Sequence, residues 1–318
     1  MVSKRKPPLA LIAGPTASGK SALALGLAET TDGVIVNADS AQVYRDLPIL
    51  SAAPGPEELA RAEHRLYGYL DGSVPCSAAD WSGAAKGEIA DIHAQGRLPI
   101  LAGGTGLYLR TLLDGIAPVP EIDPEVRRGV RAATVAENRA ELERLDSDAA
   151  GRLNTGDSAR IARALEVVLS TGRTLAEWQQ RREGGVGDEI ELRPLILLPP
   201  RDWLYRRCDE RFASMIEKGA VEEVKGLFAR HLDPNLPIMR GIGVREIASY
   251  LAGETSLEEA VAAGQQATRR YAKRQCTWFA HQPPPEWPRF REPLEGEHLT
   301  EALAFLSPPL DGEGFGVG

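Results

Sequence analysis

Apolar residues follow two rhythms along this chain. Leu9 to Ala13, Val34 to Val36, Leu98 to Ala102 and Leu195 to Leu198 are short, largely unbroken apolar runs, the pattern of strands buried on both faces. Between them, Ala22, Leu23, Leu25 and Ala28, and the amphipathic stretch Ala84 to Ala94, recur at helical spacing. This alternation predicts an α/β fold, a parallel sheet with helices on both faces whose ligands bind beyond the carboxyl ends of the strands. From Pro118 to Glu191 the strand rhythm stops. Only helical patterns remain there, Ala159 to Ser170 among them, and Gly184 to Gly187 closes the stretch, so a helical insertion is expected. Helical patterns return in Arg206 to His231 and Leu257 to Ala280. The expected organisation is a first core part (1–117), the insertion (118–191), a second core part ending in a basic helix (192–281), and a Pro- and Gly-rich tail (282–318). The tail is expected to be partly disordered, above all in its last dozen residues.

Composition narrows the class. The 318 residues are 43% hydrophobic and 26% charged, as in ordinary soluble proteins. No apolar run approaches the ~20 residues of a membrane helix, and Leu9 to Ala13 is too short for a signal-peptide core, so a cytoplasmic protein without a membrane partner is expected. A monomer is the default. Cys76, Cys208 and Cys276 are scattered and form no C-x-x-C, which argues against a disulfide framework or a zinc site. The formal net charge of -8 gives no general support for nucleic-acid binding, so local clusters must carry it. Two stand out, around Arg201 to Arg211 and Arg269 to Arg274.

The first chemical motif is Gly14-Pro15-Thr16-Ala17-Ser18-Gly19-Lys20-Ser21, which fits G-x-x-x-x-G-K-[ST] between a predicted strand and a predicted helix. Glycines let backbone N–H groups converge on an anion at the helix start, Lys20 adds a charge, and the Ser21 hydroxyl is suited to Mg²⁺. The motif predicts diphosphate binding. It does not choose the reaction, since nucleotide kinases and many ATPases share it.

Further motifs choose among these. Asn37-Ala38-Asp39-Ser40-Ala41-Gln42-Val43-Tyr44, Cys76-Ser77-Ala78-Ala79-Asp80-Trp81, Gly103-Gly104-Thr105-Gly106-Leu107-Tyr108, Asp123-Pro124-Glu125-Val126-Arg127, Arg160 to Val167, Arg240-Gly241-Ile242-Gly243 and Thr268 to Phe279 follow the phosphate loop in order. Together with that loop they resemble the tRNA dimethylallyltransferase (tRNA isopentenyltransferase, IPP transferase) family. The chain departs from that pattern at Ser51-Ala52-Ala53-Pro54, where the family usually carries a lysine, at Asn154-Thr155-Gly156-Asp157, which replaces His-Pro-Asn-Asp, and at Ala280, where an arginine is common.

The resemblance implies transfer of the dimethylallyl group of dimethylallyl diphosphate to the exocyclic amine of the adenosine beside the anticodon. That amine is a poor nucleophile, so a carboxylate accepting its proton suits the reaction. Asp39, just beyond a predicted strand, is the candidate base; alone it could equally cap a helix. By resemblance, Thr105 donates to the departing diphosphate and Arg207 reaches it from the second half of the chain, with Arg211 as the nearest rival. Thr105 could otherwise simply hold a turn, and Arg207 lie on a solvated face. Contacts to a tRNA anticodon stem-loop are implied for Asp39, Ser40, Ala41, Gln42, Thr105 and Arg127, for Ala159, Arg160, Ile161, Ala162 and Arg163, and for Arg240, Gly241, Ile242, Gly243, Val244 and Arg245. The last such group is Lys273, Arg274, Gln275, Cys276, Thr277, Trp278, Phe279 and Ala280. A basic helix face with Tyr271 and Trp278 in the core would give the same local pattern as that group. Rival readings are prenylation of free AMP, ADP or ATP, a P-loop kinase using Asp39 as base, and a non-catalytic RNA-binding module.

Overall fold

The computed structural model describes residues 6–306. The phosphate loop links strand β1 (Pro8–Ala13) to helix α1 (Lys20–Thr31); β2 (Val34–Asn37), α2 (Pro56–Arg61), β3 (Glu63–Arg65), α3 (Ala78–Ala94), β4 (Pro99–Gly103) and α4 (Gly106–Asp114) follow. Helices α5 (Pro124–Ala132), α6 (Val135–Leu145), α7 (Ser147–Arg152), α8 (Ser158–Thr171) and α9 (Leu175–Gln179) precede β5 (Glu191–Leu197). The chain ends with α10 (Arg201–Glu217), α11 (Ala220–Ala229), a 3₁₀ turn Pro237–Arg240, α12 (Val244–Leu251), α13 (Leu257–His281), β6 (Arg289–Phe290) and α14 (His298–Ala304).

The strands form one six-stranded sheet in the order β3-β2-β4-β1-β5-β6, and its neighbouring strands pair in parallel. Their apolar runs are buried on both faces, with Leu9 to Ala13 fully covered, as a parallel sheet under helices requires. Parallel strands put all their carboxyl ends on one edge, so the loops after β1, β2, β4 and β5 meet there. The expected α/β class is the one observed.

Two strands lie outside the sequence reading. β3 is short and carries Glu63, His64 and Arg65, so it lacks an apolar signal. β6 lies in the stretch expected to be a tail, yet it pairs with β5 through Ile196 and Leu197. Phe290, Ala302 and Leu306 then join Leu23, Leu27, Ile12 and Leu195 in the core under α1. The tail is a structural layer up to its last described residue. Its final dozen residues lie outside the described residues. The expected helix from Arg206 to His231 is two helices, because Gly219 adopts φ 101° and ends the first.

The chain divides into two compact units, residues 1–112 with 187–318, and residues 113–186. The second is the expected helical insertion with shifted bounds. Its base is a backbone pair, Ile116 N–H to Glu183 O at 3.1 Å and the reverse at 3.0 Å, which draws 113–117 into the unit. A Cβ on Gly115 would lie 2.3 Å from Glu183 O, so the neck admits no side chain there. Residues 187–191 instead lead into β5. The helices of this unit start at side-chain caps, Asp123, Thr134, Asp146, Asp157 and Thr174, and pack Val130, Leu142, Ile161 and Leu165 together. Asp157, from the divergent Asn154 to Asp157 segment, accepts the Arg160 N–H at the start of α8.

Candidate active site

The phosphate loop bends through Ala17 at φ 64° and Gly19 at φ 97°, left-handed positions that turn successive amides toward one side. For Ala17 this geometry costs about 1 kcal/mol or more, which the surrounding contacts must hold. Lys20 Nζ donates to Pro15 O at 2.6 Å, folding the ammonium back over the loop. Burial pushes the Lys20 pKa down to about 8; Asp39 opposes the shift and Arg211 adds to it.

Asp39 follows β2 in a loop rather than before a helix, so it is not a helix cap. Buried Asn37 shapes this loop: its Oδ1 accepts the Asp39 N–H at 2.8 Å, and its Nδ2 donates to Asp39 O and Leu66 O, each at 3.0 Å. Trp81 Nε1 donates to Asn37 O at 2.9 Å, and the Trp81 ring stacks on Tyr108 at 4.5 Å. One Asp39 carboxylate oxygen accepts the Ala41 N–H at 3.0 Å.

Two cavities meet at these loops. A groove of about 960 Å³ runs along residues 16–22 of the phosphate loop and helix start, with Asp39, Gln42, Ser51, Arg207 and Arg211. A second cavity of about 320 Å³ has Tyr44, Leu47, Leu50, Phe212, Met215 and Tyr271 among its walls, and Arg240, Gly241, Ile242 and Arg274 along it. Thr16, Asp39, Ser51, Arg211 and Met215 line both. An anion-binding loop, a carboxylate and a largely apolar chamber are thus adjacent. At the divergent segment, Gln42 Nε2 donates to Ser51 O and Ala52 O at 3.1 and 2.7 Å, so backbone carbonyls hold that wall.

The side chains expected at the site are held in different ways. Arg211, the rival, donates from Nη2 to the Thr16 hydroxyl and lines both cavities. Arg207 lines only the groove; its Nε donates to Ala17 O at 3.1 Å and its guanidinium lies 4.7 Å from the Trp203 ring. The Thr105 hydroxyl, expected on the diphosphate, accepts the Ser40 N–H at 3.0 Å and donates to Ser40 Oγ at 3.3 Å, anchoring the turn beside Asp39. Among the expected tRNA contacts, Ser40, Ala41, Arg240, Gly241, Ile242 and Arg274 line the smaller cavity, and Arg245, Lys273, Thr277 and Ala280 are exposed. Ile161, Ala162, Val244, Gln275, Cys276 and Phe279 are buried, so those side chains face the fold and not a surface ligand. They alternate with exposed neighbours because a helix turns only one face to its core. Arg269 pairs with Asp209. In the helical unit, partial burial holds the Arg163 guanidinium below its usual range, opposed by Glu166 and reinforced by Arg127 and Arg131.

Phe212 and Met215 were not singled out from sequence. Arg211 was legible as one helical turn beyond Arg207, on the same face of α10. Among the described residues no cluster of three or more His, Cys, Asp or Glu side chains is arranged to hold a metal, and no helix is long and apolar enough to cross a membrane.

A parallel sheet with a phosphate loop at its ligand edge and a carboxylate beside it defines a P-loop-like α/β protein. The sequence model of the IPP transferase family matches residues 42–282. The chain belongs to this family. It is 60% identical over 289 residues to the tRNA dimethylallyltransferase of Erythrobacter litoralis (strain HTCC2594), covering 89% of this chain and 91% of that one. It is 61% identical to the enzyme of the same name from Sphingopyxis alaskensis, covering 90% and 94%. Among solved structures it resembles the tRNA isopentenylpyrophosphate transferase of Bacillus halodurans, with TM-score 0.69, 32% identity and 94% and 95% coverage. It also resembles a eukaryotic dimethylallyltransferase acting on tRNA, with TM-score 0.74, 28% identity and 86% and 69% coverage.

Proposed function

We propose that this chain transfers the dimethylallyl group of dimethylallyl diphosphate to the N6 amine of the adenosine adjacent to the anticodon, position 37, of tRNA. The products are N6-(dimethylallyl)adenosine and diphosphate. The observation that carries this reading is the junction of the two cavities at Asp39, Thr16 and Arg211. An anionic leaving group fits the groove, while the chamber with tyrosine and aliphatic walls suits a flat base and a branched hydrocarbon. The names of the relatives support the same substrates.

In the reaction the N6–C1 bond forms as the C1–oxygen bond breaks, with the electron pair leaving on diphosphate. Asp39 accepts the amine proton, which makes the nitrogen lone pair available. Negative charge grows on the departing oxygen, and the loop amides, Lys20 and Arg211, positioned before the step, stabilise it without reorienting. Reaching a carboxylate at this junction requires the base to leave its stack, which is inexpensive in an RNA loop. Ser21 places a hard oxygen donor on the groove beside the phosphate loop, which suits Mg²⁺, since that ion takes few protein oxygens and completes its shell with phosphates and water. Mg²⁺ there would offset charge on the diphosphate oxygens.

A monomer as the working unit and a cytoplasmic setting, where a tRNA substrate would be met, belong to the same proposal. The helical unit and the exposed basic side of α13 favour tRNA over a mononucleotide, which would need neither. Incubation with labelled dimethylallyl diphosphate and either unmodified tRNA or AMP tests this. Label in tRNA is expected. Label only in AMP would replace the substrate, and label in neither would remove the transferase reading.

A further inference from the structure

We propose that Gln275 is a positioning residue that locks the phosphate loop to the turn after β4, and not a contact for tRNA. It rests on the reading above only in taking diphosphate as the bound group. Gln275 is 6% exposed, and its amide meets two loops from different strands. Its Oε1 accepts the Thr16 N–H at 2.8 Å and its Nε2 donates to Gly104 O at 2.8 Å. The ladder between β1 and β4 ends at the pair Ala13 and Gly103, after which the two loops diverge. There the Gln275 amide acts as a backbone peptide group would, one acceptor and one donor inserted between two chains.

The surroundings admit little else. A Cβ on Gly104 would lie 2.4 Å from Gln275 Nε2, so the turn must be bare for the amide to reach it. Beyond Gln275 on α13 the Trp278 ring covers Gly106, where a Cβ would lie 2.5 Å from it. One face of α13 therefore meets the whole turn after β4. Its exposed side carries Arg270 and Lys273.

The chemistry follows from the amide's asymmetry. Because Thr16 N–H is committed to Gln275, it does not turn to a phosphate, and the Thr16 hydroxyl is held toward Arg211. A carboxylate at 275 would keep the Thr16 bond but set an acceptor against Gly104 O; a protonated carboxyl would restore both bonds. An aliphatic side chain would leave both backbone groups buried and unpaired.

The test uses the full chain with inorganic diphosphate, followed by calorimetry, and tRNA affinity at several salt concentrations. Gln275→Leu and Gln275→Glu are expected to bind diphosphate about tenfold more weakly at pH 8, with tRNA affinity and its salt slope unchanged. Relative to wild type, Gln275→Glu should recover as pH falls to about 6, and Gln275→Leu should not. Should these variants fail to fold, Gly104→Ala presses on the same amide and is expected to weaken diphosphate binding alike. Wild-type diphosphate affinity in the folded variants, or a loss confined to tRNA affinity, would overturn the proposal. A wild-type chain that binds diphosphate without prenylating tRNA would instead remove the transferase reading and leave Gln275 its role.

Discussion

The guanidinium of Arg211 donates to the hydroxyl of Thr16 across 195 positions of sequence, joining α10 to the phosphate loop. Burial holds Arg211 below its usual basicity, with Arg207 adding to the effect while Cys208 and Asp39 oppose it. Arg211→Ala is therefore expected to lower turnover by about 10² or more and to weaken diphosphate binding, whereas Arg207→Ala costs about tenfold or less. Steady-state kinetics on both variants measure this, and the reverse order would return the leading role to Arg207.

Asp39→Asn keeps the shape of the side chain and removes the base. Folding and tRNA binding should persist while turnover drops by about 10² or more. Near-normal turnover in a single-turnover assay would take Asp39 out of the proton transfer.

Lys20 makes diphosphate binding pH-dependent. With its pKa in the free protein near 8, the ammonium is lost as pH rises through that value, so affinity should fall about tenfold between pH 7 and pH 9, beyond any change in the ligand. The stability effect has the opposite sign. A folded pKa below the ordinary lysine value means that the unfolded chain binds more protons between about 8 and 10.5, so the free protein gains stability as pH rises across that window. Lys20→Met should abolish both trends, as titration calorimetry and melting curves at several pH values can establish.

The basic side of α13 separates RNA contacts from structural charges. Neutralising exposed Arg270 or Lys273 should weaken tRNA binding and flatten its salt dependence by just under one log–log unit per lost contact, with turnover at saturating tRNA little changed. Arg269, paired with Asp209, should instead lower the melting temperature. An unaltered salt slope for the exposed pair, with intact folding, would remove this face from the tRNA interface.

Phe290 sits in the core beneath α1, from the segment whose composition suggests a tail. Phe290→Ala is expected to destabilise the protein by about 3 kcal/mol or more in denaturant titration. A change below about 1 kcal/mol would mean that this layer contributes little to the fold.

The strands β1, β2, β4 and β5, the phosphate loop and Asp39 were legible in the sequence because each has a local cause. Buried parallel strands need apolar runs, a phosphate cradle needs Gly14, Gly19, Lys20 and Ser21 in fixed order, and the insertion carries its own helical period and caps. β3 and β6 were not legible, since a short edge strand obtains its hydrogen bonds from a neighbour and needs no apolar run of its own. Tertiary structure alone shows that Arg211 meets the Thr16 hydroxyl while Arg207 meets Ala17 O, that the Thr105 hydroxyl bonds Ser40, and that Gln275 lies between two loops. Helical spacing puts Arg207 and Arg211 on one face, but which guanidinium meets Thr16 depends on how α10 crosses the end of β1. For Gln275 the partners lie in the loops after β1 and β4, far from α13 in sequence, so the pairing of its amide exists only once the sheet has brought those two loops together.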